Sequence, residues 1–400
     1  MELLLYTEIV SPRLQYICTF VFKRVLGWEV TLLTQKEEVE KANQLYINYS
    51  NQPLPNALLW IPVCPLLAEQ SIAQPTIHVF EDRGLPCFFE VEATAADLPF
   101  DFLAMSFYLL SRYEEYLPFS ADQFGRFSAY QSIAYQHHFL RRPLIDLWIE
   151  QLWKIAHERC PSLRRKPLHY SFLPTYDIDH AWAFLHKGPW RTFGAYGRDL
   201  LKGRFNWIKA RLHSQWQNEM DPYDCFEFLD TLHREFELRP LYFFLLGDYA
   251  AYDKNIDYRV PAFRQLIQKI ARQYKVGIHP SFQSNEMPLR VQLEQQRLTD
   301  ITGQTIGRSR QHFLRLHWPQ TYRGLLQIGI QADYSMGYAA ELGFRASTSH
   351  DFLWFDLMTN ETTELRVVPF QVMDVSLKQY LNYSPEVAIE AVAELIGQCR

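Results

Sequence analysis

The sequence lacks several features that mark whole classes of protein. Its six cysteines are widely spaced and include no Cys-x-x-Cys pair, which argues against a zinc knuckle and against a disulfide framework. No run of eighteen apolar residues occurs, so no membrane span is expected. The basic residues are scattered within a net charge of −5, which leaves no concentrated basic face for a nucleic acid. Internal repeats and low-complexity segments are also absent.

The amino terminus lacks the marks of a leader peptide. Its apolar stretches are interrupted by Glu2, Glu8 and Arg13, and neither a basic start nor a small-residue cleavage site is visible. These absences predict a cytoplasmic protein with reduced thiols. The chain is 48% hydrophobic and 21% charged, which is typical of folded domains, and its 400 residues are enough for two or three folding units.

The first part of the chain predicts a small α/β domain over residues 1–97. Glu2–Thr7 has the pattern of an opening strand, and Ser11 followed by Pro12 is typical of a helix start. No motif for chemistry is found in this part. We therefore expect a docking or regulatory domain, and the sequence does not identify its protein partner.

A helical connector is predicted for residues 98–166, with helices at 102–116 and 143–159. The charged residues 111–116 at the end of the first helix are expected to form a solvated face, and a helix end that faces a groove is the alternative. A polar segment with a proline, residues 160–166, marks the boundary to the next domain.

From residue 167 to residue 400, strand patterns alternate with helix patterns. This alternation predicts βα units around a parallel sheet or barrel. Every predicted helix begins at a proline or directly after one, which is a favourable helix start. The predicted strands are 169–176, 241–246, 276–279, 309–314, 331–334 and 365–368, and the predicted helices are 223–237, 261–274, 288–301, 319–328 and 385–398.

Two aspartates close the first of these strands. Side chains alternate along a strand, so Asp177 and Asp179 are expected to point the same way. Buried carboxylates need a metal ion or another cation to offset the loss of hydration. The alternative is a surface loop with two solvated aspartates, and the pair alone does not decide between the two.

Two histidines and an arginine follow near the ends of later strands. His279 closes the strand 276–279, and the carboxyl ends of strands face the active-site rim in βα folds. This histidine is either a ligand or a structural hydrogen-bond partner. Alternation puts Arg310 and His312 on one face of the strand 309–314, either as parts of one polar site or as a salt bridge and a packed histidine. Carboxylates and imidazoles together suit Zn²⁺ or a similar divalent ion.

These segments resemble the polysaccharide deacetylases of carbohydrate esterase family 4, especially bacterial relatives with an extra N-terminal domain. The resemblance implies a distorted (β/α) barrel and a divalent metal cofactor, with Zn²⁺ as the expected ion. It also implies hydrolysis of N-acetyl or O-acetyl groups on an acetylated carbohydrate. It covers about 170–400 and rests on five segments in the family's order, namely 175–179, 241–247, 276–279, 310–313 and 329–335.

The same resemblance implies roles for individual residues. Asp177 matches the general base, and Arg310 matches the residue that orients this base. Asp179 and His279 match metal ligands. His312 stands where the family has a proline, and we expect it to serve as the third ligand.

The sequence departs from the family pattern in three places. Ile178 separates two aspartates that are adjacent in the family, so a bulge or an altered register is required. Gln283 stands where a second histidine is expected. No closing Leu-x-His strand is found, so we expect a barrel that is truncated at its C-terminal end. The alternative is a general acid from elsewhere, with Asp374 as the candidate.

Aromatic residues near the key segments suggest how a sugar is held. Trp182, Tyr334 and Tyr338 are expected to stack on sugar rings, and core packing is their alternative role. The preferred function is a metal-dependent deacetylase. One alternative is a catalytically inactive carbohydrate-binding or scaffold protein that retains the fold, and another is a metal-dependent amidohydrolase for a small non-sugar amide.

Overall fold

The chain folds into two compact units. A computed structural model describes residues 1–42, 44–93, 95–217 and 219–400. The first unit combines residues 1–170 with 317–323 and 333–400, and the second consists of residues 171–316 and 324–332. Residues from both ends of the sequence therefore build one unit. The division into three consecutive domains at residues 97 and 166 stays a prediction.

A parallel sheet of four strands begins the first unit. Its strands are β1 (Glu2–Thr7), β2 (Glu29–Leu33), β3 (Tyr46–Tyr49) and β4 (Leu59–Ile61). They lie in the order β2-β1-β3-β4, and every neighbouring pair is parallel. An antiparallel pair follows, formed by β5 (Phe80–Asp82) and β6 (Leu85–Cys87). The α/β class with an N-terminal α/β sheet is thereby confirmed.

The first helix begins where the sequence predicts. The Ser11 hydroxyl accepts a hydrogen bond from the Leu14 amide at 3.0 Å, and a proline occupies the first turn of α1 (Pro12–Cys18). The helix continues as a π-helix over Thr19–Leu26. It ends at Gly27, whose φ of 75° lies in the left-handed region that favours glycine.

Four further helices follow within residues 1–170, and one of them is buried along its whole length. They are α2 (Lys36–Lys41), α3 (Phe102–Leu110), α4 (Ile133–Gln136) and α5 (Leu144–Arg159). All nine residues of α3 are buried. Asp101 caps this helix, because its carboxylate accepts a hydrogen bond from the Ala104 amide at 2.9 Å.

The charged segment 111–116 does not form the predicted solvated face. Helix α3 ends before it, Arg112 has a φ of 55°, and Tyr113–Tyr116 forms a 3₁₀ turn. Arg112 and Glu115 are buried. The Glu115 carboxylate accepts hydrogen bonds from Arg112 Nε at 2.8 Å and from Arg345 Nη2 at 2.6 Å. Pairing inside the fold therefore compensates for the burial of these charges.

The second unit contains four parallel strands that are neighbours in one sheet. They are β7 (Thr175–Ile178), β8 (Leu241–Phe244), β9 (Lys275–Ile278) and β10 (Arg308–Ser309), in the order β10-β9-β8-β7. The predicted parallel arrangement is confirmed, whereas the barrel stays a prediction. The helices of this unit are α6 (Pro189–Leu201), α7 (Phe205–Trp216), α8 (Phe226–Glu235), α9 (Pro261–Gln273) and α10 (Pro288–Thr302). The sequence did not predict α6 and α7.

The predicted strand 309–314 is wrong. The strand β10 is only two residues long, and the chain then enters a tight turn at His312–Leu314, in which Phe313 has a φ of 59°. The alternation argument that put Arg310 and His312 on one face of a strand therefore fails. Arg310 directly follows the short strand, and His312 lies in the turn.

The end of the chain belongs to the first unit. α11 (Gln320–Gln327) and β11 (Ala332–Asp333) each contain residues of both units. β12 (Phe352–Asp356) and β13 (Glu361–Val367) pair antiparallel, and α12 (Pro385–Cys399) follows. The hairpin packs on α1, where the Tyr16 hydroxyl donates to the Leu353 carbonyl at 2.8 Å. Across the described residues, the structure contains no helix with both the length and the apolar character needed to cross a bilayer.

Candidate metal centre

The candidate functional side chains follow the carboxyl ends of neighbouring parallel strands. Asp179 comes directly after β7, His279 directly after β9, and Arg310 directly after β10. Because these strands are parallel, their carboxyl ends lie at the same edge of the sheet. The fold therefore gathers residues that are far apart in the sequence.

Ile178, the residue that separates the two aspartates, lies at the end of β7. Asp177 belongs to the strand, and Ile178 is its last residue. The pairing of β7 with β8 is regular over the whole strand, so it contains no bulge. Asp179 lies just outside this pairing, and its side chain turns toward two histidines.

His279 is buried, and its two ring nitrogens have different partners. Nδ1 lies 2.6 Å from the backbone oxygen of Arg310, and because a carbonyl oxygen only accepts, Nδ1 carries the hydrogen. Nε2 lies 3.3 Å from Oδ1 of Asp179. In the neutral imidazole, Nε2 therefore presents a lone pair to the space beside the carboxylate.

His312 is arranged in the same way with a different partner. Its Nδ1 lies 2.9 Å from Oδ1 of Asp253, and its Nε2 lies 3.6 Å from Oδ2 of Asp179. Asp253 is buried, and its Oδ1 also accepts a hydrogen bond from the Phe282 amide at 2.8 Å. A carboxylate behind a histidine is typical of metal sites, because it fixes the tautomer and the orientation of the ring.

Asp179, His279 and His312 form a group that fits a divalent metal ion. One ligand atom of each side chain lies within 4.8 Å of the other two. Oδ1 of Asp179 is buried and accepts no hydrogen bond from any described residue, so a cation beside it would satisfy it. One carboxylate and two imidazoles suit zinc and similar ions, and this donor set does not identify the metal.

The electrostatics of the group attract positive charge. Burial raises the pKa of Asp179, but its contacts with His279 and His312 outweigh burial and hold this pKa far below its usual range. Burial lowers the pKa of His312, but Asp179 and Asp253 outweigh burial and raise this pKa to about 9. Two carboxylates therefore favour a cation at this place.

Arg310 connects the metal-binding group with Asp177. Its Nη1 donates to Oδ1 of Asp177 at 3.2 Å and to the Thr175 hydroxyl at 2.8 Å. Its guanidinium lies over the Phe243 ring, 4.9 Å from the centroid. Arg310 is buried, whereas the Asp177 side chain is 16% exposed. The backbone carbonyl of Arg310 thus accepts a hydrogen bond from His279. Its side chain donates to the Asp177 carboxylate, which remains partly accessible.

The three aromatic residues predicted to hold a sugar lie in different units. Trp182 belongs to the second unit, is 7% exposed, and donates from Nε1 to Asp224 at 3.1 Å. Tyr338 belongs to the first unit, is 5% exposed, and accepts a hydrogen bond from Arg112 at 3.1 Å. Tyr334 also belongs to the first unit and is half-buried. Burial of this kind is typical of core packing, and stacking on a sugar stays a prediction.

Two supporting residues of the site were not predicted from the sequence. Asp253 lies between β8 and α9, 59 residues before its partner His312, and no motif marks it. Glu294 is buried and accepts hydrogen bonds from both the amide and the hydroxyl of Ser281, two residues after His279. Burial raises the pKa of Glu294 to about 7. Only the folded chain reveals that these carboxylates support the site.

Comparisons with known proteins cover parts of the chain. A family model described as a family of unknown function, DUF7033, matches residues 3–161. Among solved structures, the chain is similar to a Mycobacterium smegmatis protein described as a presumed polysaccharide deacetylase. That match has 16% sequence identity and a TM-score of 0.35, and it covers 58% of this chain and 76% of the other. A search of curated proteins found no match. The function is therefore argued from the geometry of the site.

Proposed function

We propose that the second unit is a metal-dependent hydrolase that removes N-acetyl or O-acetyl groups from a polysaccharide or a glycan precursor. The observation that carries this proposal is the group of Asp179, His279 and His312, whose ligand atoms face one another while other residues hold both Nδ1 atoms. The motif order that resembles carbohydrate esterase family 4 supports it. The proposal includes the distorted (β/α) barrel of that family, with Zn²⁺ as the ion.

The chemistry of the proposal divides between the metal and the protein. When bound, a divalent ion would supply Lewis acidity, which lowers the pKa of water and polarises an acyl carbonyl. Asp179, His279 and His312 would hold this ion. Asp177 is suited to be the general base, because its carboxylate is partly exposed and has a fixed orientation.

Proton transfer in the proposed reaction centres on Asp177. The carboxylate takes a proton from water as the water oxygen bonds to the acyl carbon. The bond from the acyl carbon to nitrogen or oxygen then breaks, and the protonated Asp177 returns the proton to the leaving amine or alcohol. Arg310 keeps the carboxylate in place through its hydrogen bond. The products are acetate and a deacetylated sugar.

A catalytically inactive carbohydrate-binding or scaffold protein is the second candidate. Gln283 favours it, because this residue stands where the family has a second metal-binding histidine, and its side-chain oxygen interacts with Arg290. His312 favours the enzyme, because it completes a set of three ligands that a binding module does not require.

Metal analysis of the purified protein after incubation with zinc tests the ligand set. The unmutated chain is expected to retain about one zinc ion, and the His279→Ala and His312→Ala variants are each expected to lose it. His137→Ala changes an exposed histidine of the first unit and is the matched control. Equal zinc content in all three variants would overturn the ligand assignment.

Acetate release from N-acetylated and O-acetylated oligosaccharides tests the reaction itself. The Asp177→Asn variant is expected to retain zinc and to lose activity by about 10²–10⁴-fold, because the general base is removed and the ligands are not. A zinc-loaded chain that releases no acetate from either class of substrate would favour the inactive binding protein.

A further inference from the structure

A basic cavity of about 470 Å³ lies in the second unit, lined in part by helices α6 and α7. Its lining contains six cationic side chains and a single carboxylate, that of Asp199. The whole chain carries a net charge of −5, so the positive charge of the cavity lining is opposite in sign to the net charge of the chain. The six cations are those of Lys187, Arg191, Arg198, Arg204, Arg211 and Lys254.

The single carboxylate of the cavity is already paired. Nη2 of Arg211 lies 2.7 Å from Oδ2 of Asp199, and both side chains are buried. Among the described residues, Lys187, Arg204 and Lys254 form no ion pair. The lining therefore carries a net positive charge, which favours an anionic ligand.

Arg191 is held in a fixed position in the cavity wall. Its Nη1 donates to the Asn255 carbonyl at 2.8 Å, and its Nη2 donates to the Lys254 carbonyl at 2.7 Å. The guanidinium also lies over the Tyr249 ring, 4.4 Å from the centroid. These contacts orient the guanidinium and leave its charge unneutralised. A cation held in this way loses little freedom when an anion binds.

Burial, and after it the neighbouring positive charge, act on the pKa of Lys187. Burial lowers the pKa of this lysine, and the neighbouring charge of Arg191 adds to the effect, so that the pKa is about 8. An anion in the cavity would offset both causes. The electrostatics thus agree with the geometry of the lining.

The cavity adjoins the candidate metal centre along the chain. His180 lines the cavity and directly follows Asp179, and Lys254 lines it and directly follows Asp253. Nδ1 of His180 is buried and has no hydrogen-bond partner among the residues that the structure describes. The cavity and the candidate metal centre are therefore neighbours along the chain at two places.

We propose that this cavity binds the phosphate or diphosphate group of the substrate, so that the substrate is a phosphorylated acetyl-sugar precursor and not a neutral polysaccharide. A carboxylate brings one negative charge, whereas a phosphate monoester brings about two charges and three acceptor oxygens for the guanidinium groups. The sugar part of this inference rests on the proposed hydrolase function. The anion site itself rests on the cavity alone.

Isothermal titration of the full chain with pyrophosphate tests the anion site. EDTA is present, so that no anion binds through a metal ion. Arg204→Ala and Lys187→Ala are each expected to weaken binding about tenfold, and added salt is expected to weaken it further. Lys202→Ala and Lys209→Ala are the matched controls, because these exposed lysines of the same region lie outside the lining, and they are expected to change binding less than about twofold.

Two further titrations distinguish the possible sources of the phosphate. Tighter binding of uridine diphosphate than of pyrophosphate would support a nucleotide-linked sugar, and tighter binding of N-acetylglucosamine 1-phosphate would support a simple sugar phosphate. No pyrophosphate binding at millimolar concentration, or equal weakening by the control variants, would overturn the proposal. A chain that binds pyrophosphate but no zinc would remove the hydrolase proposal and leave the anion site standing.

Discussion

Nε2 of His279 lies 3.3 Å from Oδ1 of Asp179, while Nδ1 of the same ring lies 2.6 Å from the carbonyl oxygen of Arg310. In the neutral imidazole, Nε2 has a lone pair that can bind a metal ion together with this carboxylate oxygen. His312 directs its Nε2 toward the second oxygen of the same carboxylate. Among the residues that the structure describes, this relationship supports a metal centre at these three side chains.

Zinc is expected to stabilise the folded protein, because Asp179, His279 and His312 are assembled only in the folded state. At free zinc about 100 times above the Kd, the expected gain in the free energy of unfolding is about 2.7 kcal/mol. Thermal unfolding in zinc and in EDTA measures this gain as a shift in Tm. The His312→Ala variant is expected to show no shift, and an equal shift in both proteins would contradict its role as a ligand.

Replacement of Asp253 by asparagine is expected to weaken zinc binding about 10–100-fold. The reason is that the Asp253 carboxylate holds Nδ1 of His312 and so orients the ring toward Asp179. Competition with a chelating dye measures the affinity. Asp257→Asn alters an exposed carboxylate of the same loop and is the control. Unchanged affinity in Asp253→Asn would mean that His312 does not depend on this carboxylate for metal binding.

Replacement of Glu115 by glutamine is expected to destabilise the protein by about 3–5 kcal/mol. Glu115 is the shared partner of Arg112 and Arg345, so its neutralisation removes the carboxylate that pairs with the buried Arg345 guanidinium and leaves Arg112 with Glu114 alone. Urea unfolding measures the loss, with Glu390→Gln at an exposed position of α12 as the control. A loss no larger than that of the control would show that the pairing contributes little to stability.

The raised pKa of Asp101 predicts that the stability of the first unit depends on pH. Burial raises the pKa of Asp101 to about 6, although two backbone amides and the Tyr49 hydroxyl donate to its carboxylate. The folded state therefore binds this proton more tightly than the unfolded chain, in which the pKa is near 3.8. The resulting stabilisation is fully present below pH 3.8 and is lost as the pH rises through about 6. It amounts to about 3 kcal/mol.

Urea unfolding of the unmutated protein and of Asp101→Asn at several pH values tests this prediction. Asparagine does not titrate, so the difference in the free energy of unfolding between the two proteins is expected to change across this window. A difference that is constant from pH 4 to pH 7 would contradict the raised pKa. The carboxylate would then be ionised in the folded state throughout.

Local elements of this fold were predictable from the sequence. The strand β1 and the start of α1 follow from short-range rules, since a cap such as Ser11 acts within three residues. The meeting of Asp179 and His279 was also predictable, because both follow strands of one parallel sheet. Neither conclusion requires knowledge of a distant side chain.

Other features depended on contacts between distant parts of the chain. In the sequence, Arg112 and Glu115 have the pattern of a solvated helix end. In the fold they are buried, and Arg345, 230 residues after Glu115, neutralises the Glu115 carboxylate. The strand predicted at 309–314 is replaced by a turn, which nevertheless brings His312 to Asp179. The helices α6 and α7 and the basic cavity that they line were not predicted at all.

The sequence by itself determined the α/β class, the parallel strands and the residue types available for a metal, because these depend on periodicity and on ligand chemistry. Only the tertiary structure decided that the last 68 residues join the first unit, that Asp253 orients His312, and that six cations share one cavity. The physical reason is that burial and charge compensation are properties of three-dimensional neighbours. No local pattern encodes which neighbours those will be.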